Sequence, residues 1–269
     1  MDVDAYLQRI AYHGTREPTA ETLRQLHRAH LYAVPFENLD IPLGRPIVLS
    51  LPLLFEKIVE RRRGGFCYEL NSLFAWLLEA LGFQVVMYSA RVFDAGQPGP
   101  EFDHMLLRVA TGETLLADVG FGDSFIDPLP LDDQEHLQDG RAYRLVERDE
   151  AWVLQQRKPA SDWEPQYVFS LKPRRLDEFG PMCHYQQTSP ESSFTKKSVC
   201  SRASRTGRIT LSNGRLIVTS DGSRQETNIA NEGAYRALLR THFGIELGEE
   251  APVDRLVDSN LWLPTEDVR

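Results

Sequence analysis

Cysteine is scarce in this chain, with only Cys67, Cys183 and Cys200 among 269 residues. The number is odd and the spacings are wide, so neither a disulfide framework nor a CxxC-type metal site is encoded; reduced thiols and no metal are expected. Long apolar runs are also missing. Nothing approaches the roughly 18 consecutive apolar residues of a membrane span, and no membrane partner is expected. The opening MDVDAYLQRI has acids where a secretory signal would be basic, so a cytoplasmic location without a targeting segment is expected. Positive charge is in deficit as well. A net charge of -9 disfavours nucleic acid, whose binders need a positive field to displace counterions. No phosphate-cradling loop of the GxxxxGKS/T kind occurs, which leaves any coenzyme-binding residues unassigned.

What is present is an ordinary globular composition, 42% hydrophobic and 26% charged, long enough for one large domain or two to three modest ones. Three basic clusters stand out: Arg61 to Arg63, the KPRR at 172–175, and Lys196 with Lys197. Each reads either as a solvated face or as an attractor for a phosphorylated cosubstrate.

The first third has a helical period. Leu23, Leu26 and His30 fall on one side of one segment; Leu54, Phe55, Ile58 and Val59 do so in a second, after a Ser50 cap and an early Pro52. In RRRGGFCYELN (61–71) the arginines suit that second helix's C-terminal dipole, and Gly64 and Gly65 are expected to end it through the left-handed conformation glycine tolerates. A third helix follows, with Leu70, Leu73, Phe74, Leu77, Leu78 and Leu81 in period until Gly82. Cys67 stands at or just before its first turn, where free backbone N–H groups favour the thiolate.

From about residue 84 short β-prone runs take over: QVVMYSARVF, HMLLRVA, ETLLADVGF, AYRLVER and AWVLQQR. They predict an antiparallel sheet or barrel. Asn213-Gly214 marks a two-residue hairpin before a helical EGAYRALLRTHFG, and boundaries are drawn near 83 and 190.

A lone cysteine is more often a small buried hydrophobe than a nucleophile, so the question is whether a base can reach it. His27 and His30 read as helix-surface residues, and His13, His136, His184 and His242 lack an orienting strand. His104 opens one strand, and Asp118 ends the next. A three-residue Ala110-Thr111-Gly112 loop would set His104 opposite Asp118, whereas a two-residue Thr111-Gly112 loop would set it opposite Val119 and turn Asp118 away. Spacing alone leaves two readings open: a base with its orienting acid, or a strand-end histidine and a polar residue before a turn.

Four segments carry a resemblance: PFENLDIPLGRPI (35–47), RRGGFCYELNSLFAWLLEALGF (62–83), DHMLLRV (103–109) and LLADVGFGD (115–123). In order and separation they resemble the signature segments of the arylamine N-acetyltransferase family, with a looser match through SPESSFTKKSV. The resemblance implies an α+β fold: an N-terminal helical bundle over 1–83, a central antiparallel β-barrel over 84–190, and a linker helix with a C-terminal α/β lid over 191–269. It implies acetyl-CoA as cosubstrate, and arylamine, arylhydroxylamine or hydrazine acceptors met in xenobiotic metabolism. A ping-pong route would run through an acetyl-cysteine thioester on a cysteine-protease-like triad of Cys67, His104 and Asp118. Phe36, Phe121 and Phe194 would line the acceptor pocket, although core packing is the commoner fate of phenylalanine. Glu37 and Arg63 look like a buried structural pair. The rival readings are a cysteine hydrolase or transglutaminase-like enzyme, and an acyltransferase or amide synthase of the same family using another acyl donor.

Overall fold

A computed structural model describes residues 1–257; residues 258–269, the end of the third expected unit, lie outside the described residues. Helices dominate the start of the chain: α1 (Val3–Arg9), α2 (Ala20–Ala33), α3 (Leu51–Phe55), which runs on as a wider turn over Glu56–Glu60, and α4 (Cys67–Ala80). Their apolar stripes meet in one core containing Leu23, Leu26, Leu54, Phe55, Ile58, Val59 and the leucines of α4. The buried face of α2 is wider than its leucines suggest, because His27 and His30 are also fully buried. The expectation that these two histidines lie on the surface is therefore corrected.

Strand β1 (Phe36–Glu37) belongs to a later sheet. The barrel begins with β2 (Gln84–Asp94), β3 (Gln97–Pro98), β4 (His104–Ala110), β5 (Thr114–Ala117) and β6 (Leu129–Pro130). It continues with β7 (His136–Gln138), β8 (Arg141–Arg148), β9 (Ala151–Arg157) and β10 (Glu164–Ser170), in the order β6-β5-β4-β2-β10-β9-β8-β7 with β3 beside β2. All pairings are antiparallel, and the sheet is a nearly closed barrel. Helices α5 (Gly180–Thr188) and α6 (Ser193–Lys196) then lead to β11 (Val199–Ser204), β12 (Gly207–Ser212), β13 (Arg215–Ser220) and β14 (Ser223–Asn228), with α7 (Glu232–Leu238) after them. Asn213 and Gly214 both take positive φ in the β12–β13 turn, as a two-residue hairpin requires.

The second sheet draws its edge from far upstream: β1 pairs with β11, Phe36 opposite Ser201. Asn38 reinforces the join, donating to the carbonyls of Phe194 and Lys197 and accepting the Val199 N–H at 2.7 Å. No helix among the described residues is long and apolar enough to cross a membrane.

The RRRGG segment works differently from its sequence expectation. Arg62, not a glycine, takes the left-handed conformation, at φ +55. Gly64 is required by crowding, since a Cβ there would lie 2.0 Å from the Pro35 carbonyl oxygen; at Gly65 it would meet the Glu69 side chain at 2.7 Å. The arginines diverge too. Arg61 pairs with Glu56 on the surface, whereas Arg63 is buried between Glu37 at 2.7 Å and Asp40 at 3.0 Å.

That pair extends into a network in which Lys57 holds Asp40 at 2.7 Å and Glu69 at 2.8 Å. Glu69 also accepts the Phe66 N–H at 3.1 Å and so caps the helix that starts with Cys67. Burial raises the Glu69 carboxyl to about 7; Lys57 opposes this, and Glu37 and Asp40 add to it. The fold therefore binds this proton more tightly than the unfolded chain does. Its contribution to stability is present below about pH 4.5 and is lost as pH rises to about 7. The urea midpoint of Glu69→Gln minus that of wild type is expected to rise between about pH 5 and 7.5; the difference cancels the opposite slope that the depressed His27 and His30 give both proteins in this window, and the depressed Asp40 and Asp118 act only in more acid solution. An unchanged slope in the variant would refute the assignment.

Candidate active site

Cys67 is the first residue of α4, with Phe66 as its N-cap, and both are buried. One helical turn on, Asn71 reaches into the barrel: its Nδ2 donates to the Met105 carbonyl at 2.6 Å and to Asp118 Oδ1 at 2.9 Å, and its Oδ1 accepts the Val119 N–H at 3.0 Å. Asn71 thereby fixes the depth at which the cysteine's helix meets β4 and the end of β5. The contact is close. A Cβ on Gly120 would lie 2.7 Å from the Cys67 Cα, so only glycine lets the 118–122 loop pass over the helix start.

His104 and Asp118 do come together, with Nε2 to Oδ2 at 2.7 Å and both side chains buried. The register is neither of the two expected. Ala110 pairs with Thr114 and Leu107 with Ala117, so the loop is Thr111-Gly112-Glu113 and the strands are offset by two residues from the pairing that sets His104 opposite Asp118, and by one from the pairing that sets it opposite Val119. A two-residue offset preserves the face, because side chains alternate with period two. Asp118 therefore reaches the ring diagonally from just beyond β5.

The carboxylate is locked in place. Oδ1 accepts from Asn71 and from the Gly120 N–H at 3.0 Å, and Oδ2 faces the imidazole. Burial alone would push Asp118 up, but His104 and the donors from Asn71 and Gly120 outweigh it and hold the carboxyl below its usual value. With Nε2–H committed to Asp118, Nδ1 is the ring nitrogen able to accept a proton.

At the sulfur, burial wins over the helix start. It pushes the Cys67 thiol well above its ordinary value, while the Met105 N–H opposes. The expectation that position alone favours thiolate is thus corrected: a thiolate here requires a base to take the proton.

Aromatic rings surround this point. Phe121 stands edge-on to His104 at 5.2 Å between centroids, and Tyr167 of β10 lies 5.3 Å from the same ring. Phe194 packs 5.6 Å from Phe66 and 6.3 Å from Phe36, and Phe36 and Phe194 both border the cluster that holds Cys67. Asn71 and Tyr167 were not identified from sequence. Asn71 had a signal in its i, i+4 spacing from Cys67; Tyr167 had none, because β10 itself was unread. Of the basic clusters, Arg174 pairs with Glu101 at 3.0 Å and Arg175 with Asp177 at 3.0 Å. Lys196 and Lys197 flank a surface pocket with Arg255.

A thiol at a helix start, facing a barrel that carries a histidine–carboxylate pair, is the layout of an enzyme with a cysteine nucleophile. Among known proteins, the N-acetyltransferase family model matches residues 19–251, which makes the chain an acyltransferase. Arylamine N-acetyltransferase 1 of Homo sapiens is 32% identical, over 92% of this chain and 95% of that one. The arylamine N-acetyltransferase of Nocardia farcinica is 36% identical with a TM-score of 0.86, over 97% of this chain and 95% of that one. That of Mycobacterium marinum, in a complex with CoA, is 32% identical with a TM-score of 0.84, over 91% and 93%. The chain belongs to the arylamine N-acetyltransferase family.

Proposed function

We propose that this chain moves an acetyl group from acetyl-CoA to an arylamine, arylhydroxylamine or hydrazine by way of a thioester on Cys67. The observation that carries the reading is the 2.7 Å His104–Asp118 bond set beside the Cys67 helix start in this family's fold. His104, with Nε2–H held by Asp118, takes the thiol proton at Nδ1. The thiolate attacks the acetyl carbonyl, and the coenzyme thiol leaves with the proton from the imidazolium. The amine then opens the enzyme thioester, losing a proton to the same nitrogen. Trading one thioester for another is nearly neutral in free energy, and amide formation drives the second half. Carbonyl oxygen gains charge in both halves, and the Cys67 amide, outside the helix's internal ladder, is the donor we assign to it.

Phe36, Phe121 and Phe194 supply apolar and ring-edge surface suited to an aromatic acceptor. The three free cysteines suit the cytoplasm, where thiols stay reduced and such amines would be handled as foreign compounds.

The test needs no acceptor. Incubation with acetyl-CoA should add one acetyl group by intact mass, peptide mapping should place it on Cys67, and an added arylamine should remove it. Failure to acquire the group, or its appearance on another residue, sinks the reading. A peptide hydrolase would remain unmodified.

A further inference from the structure

His27 is a buried histidine that the proposed chemistry does not use, yet it touches the site's framework. It projects from α2 between Phe125, stacked on its ring at 5.8 Å, and Phe74, edge-on at 6.1 Å. Both nitrogens are engaged. Nε2 accepts the backbone N–H of Asp118 at 3.1 Å, and Nδ1 lies 2.7 Å from the carbonyl oxygen of Ile126. An amide only donates and a carbonyl only accepts, so one state of the ring satisfies both: neutral, with its proton on Nδ1. The two partners are the two ends of one loop, residues 118–126, which bears the Asp118 carboxylate, the Gly120 contact with Cys67, and Phe121.

We propose that His27 is a positioning residue for acyl transfer: one neutral imidazole clamps both ends of the 118–126 loop to α2 and so sets the angle at which the Asp118 carboxylate meets His104. The inference rests on the assignment of Cys67, His104 and Asp118 made above, and His27 acts only through Asp118. Protonation would turn Nε2 into a donor facing the Asp118 N–H and release that end of the clamp. Asp118 and Asp127 face the ring and favour the proton, and His30 on the same helix is electrostatically coupled to it. Burial outweighs the two acids and holds His27 below its ordinary value, so the clamp stays closed at neutral pH.

His27→Phe keeps a ring between Phe74 and Phe125 but removes both bonds. His27→Gln restores one acceptor and one donor at a spacing close to that of the ring nitrogens. The readout is the rate of Cys67 alkylation by iodoacetamide as a function of pH, measured on variants shown to be folded by circular dichroism; loss of the base slows this rate, whereas loss of stability exposes the buried thiol and speeds it. In His27→Phe the rate near pH 6.5 should fall by about tenfold or more, and the gap to wild type should narrow as the pH is raised, with His27→Gln within about threefold of wild type throughout. A His27→Phe profile matching wild type overturns the proposal, as does a His27→Gln variant impaired equally. If His27→Phe does not fold, nitrogen NMR of the wild-type imidazole decides: the Nδ1–H tautomer is expected, and an Nε2–H tautomer overturns the clamp. Wild-type Cys67 reacting only as an ordinary thiol would overturn the triad assignment itself, whereas a reactive wild type with an unaffected His27→Phe variant overturns the clamp alone.

Discussion

Asp118→Asn is expected to slow acetylation of Cys67 by about three to four orders of magnitude while leaving the protein folded. The direction follows from the bonds that Asp118 makes. Oδ1 accepts from two donors, the Asn71 amide and the Gly120 N–H, so in the variant the amide oxygen must take that place. The NH2 group is then turned toward His104, where a carboxylate oxygen had been. Two donors cannot face each other, so His104 changes tautomer, gives up the proton on Nε2 and carries it on Nδ1. The nitrogen that should receive the thiol proton is then occupied. Because burial holds the thiol well above its ordinary value, no thiolate forms without that base. Rapid quench with intact-mass detection of the acetyl-enzyme measures the rate, and a variant within about tenfold of wild type would remove Asp118 from the mechanism.

Gly120→Ala should also be damaging, by a smaller factor and for a different reason. The added methyl would meet backbone atoms on the opposing side, the Cys67 Cα at 2.7 Å and its carbonyl oxygen at 3.0 Å, and these cannot rotate away as a side chain could. Either the loop lifts or the start of α4 retreats. Both moves change the separation between Cys67 and the histidine–carboxylate pair, and displacement by about 1 Å costs roughly a hundredfold in rate. Overpacking of this kind also destabilises by about 1–3 kcal/mol, seen as a lower urea midpoint. Wild-type turnover in a folded Gly120→Ala protein would mean that the loop and helix do not need this contact.

Much of the site was legible in the sequence. Cys67 at a helix start is marked by Gly64, Gly65 and the leucine period that follows, and His104 and Asp118 share a face as the first of the two expected registers has it, although the actual register is offset from that one by two residues. The illegible parts share a cause. His27 and His30 read as surface when polarity is equated with exposure, whereas each buried ring meets a specific partner, the Asp118 amide for His27 and the Tyr6 hydroxyl, 3.0 Å from Nδ1, for His30. Gly64 was credited with a left-handed turn when its role is to clear Pro35, a neighbour almost thirty positions upstream that no local pattern announces. The thiol's upward shift was hidden likewise, because desolvation is a property of packing rather than of position in a helix.

The pairing of β1 with β11 sets a schedule for biosynthesis. Asn38 is joined to Val199 across 161 positions of sequence, so the stretch that holds Phe36 and Glu37 leaves the ribosome long before its strand partner exists. At roughly 5–20 residues per second the nascent chain waits about ten to thirty seconds with that edge unpaired. During translation, then, the aromatic wall beside the cysteine is among the last features to close, and a chain released early would carry Cys67 without it.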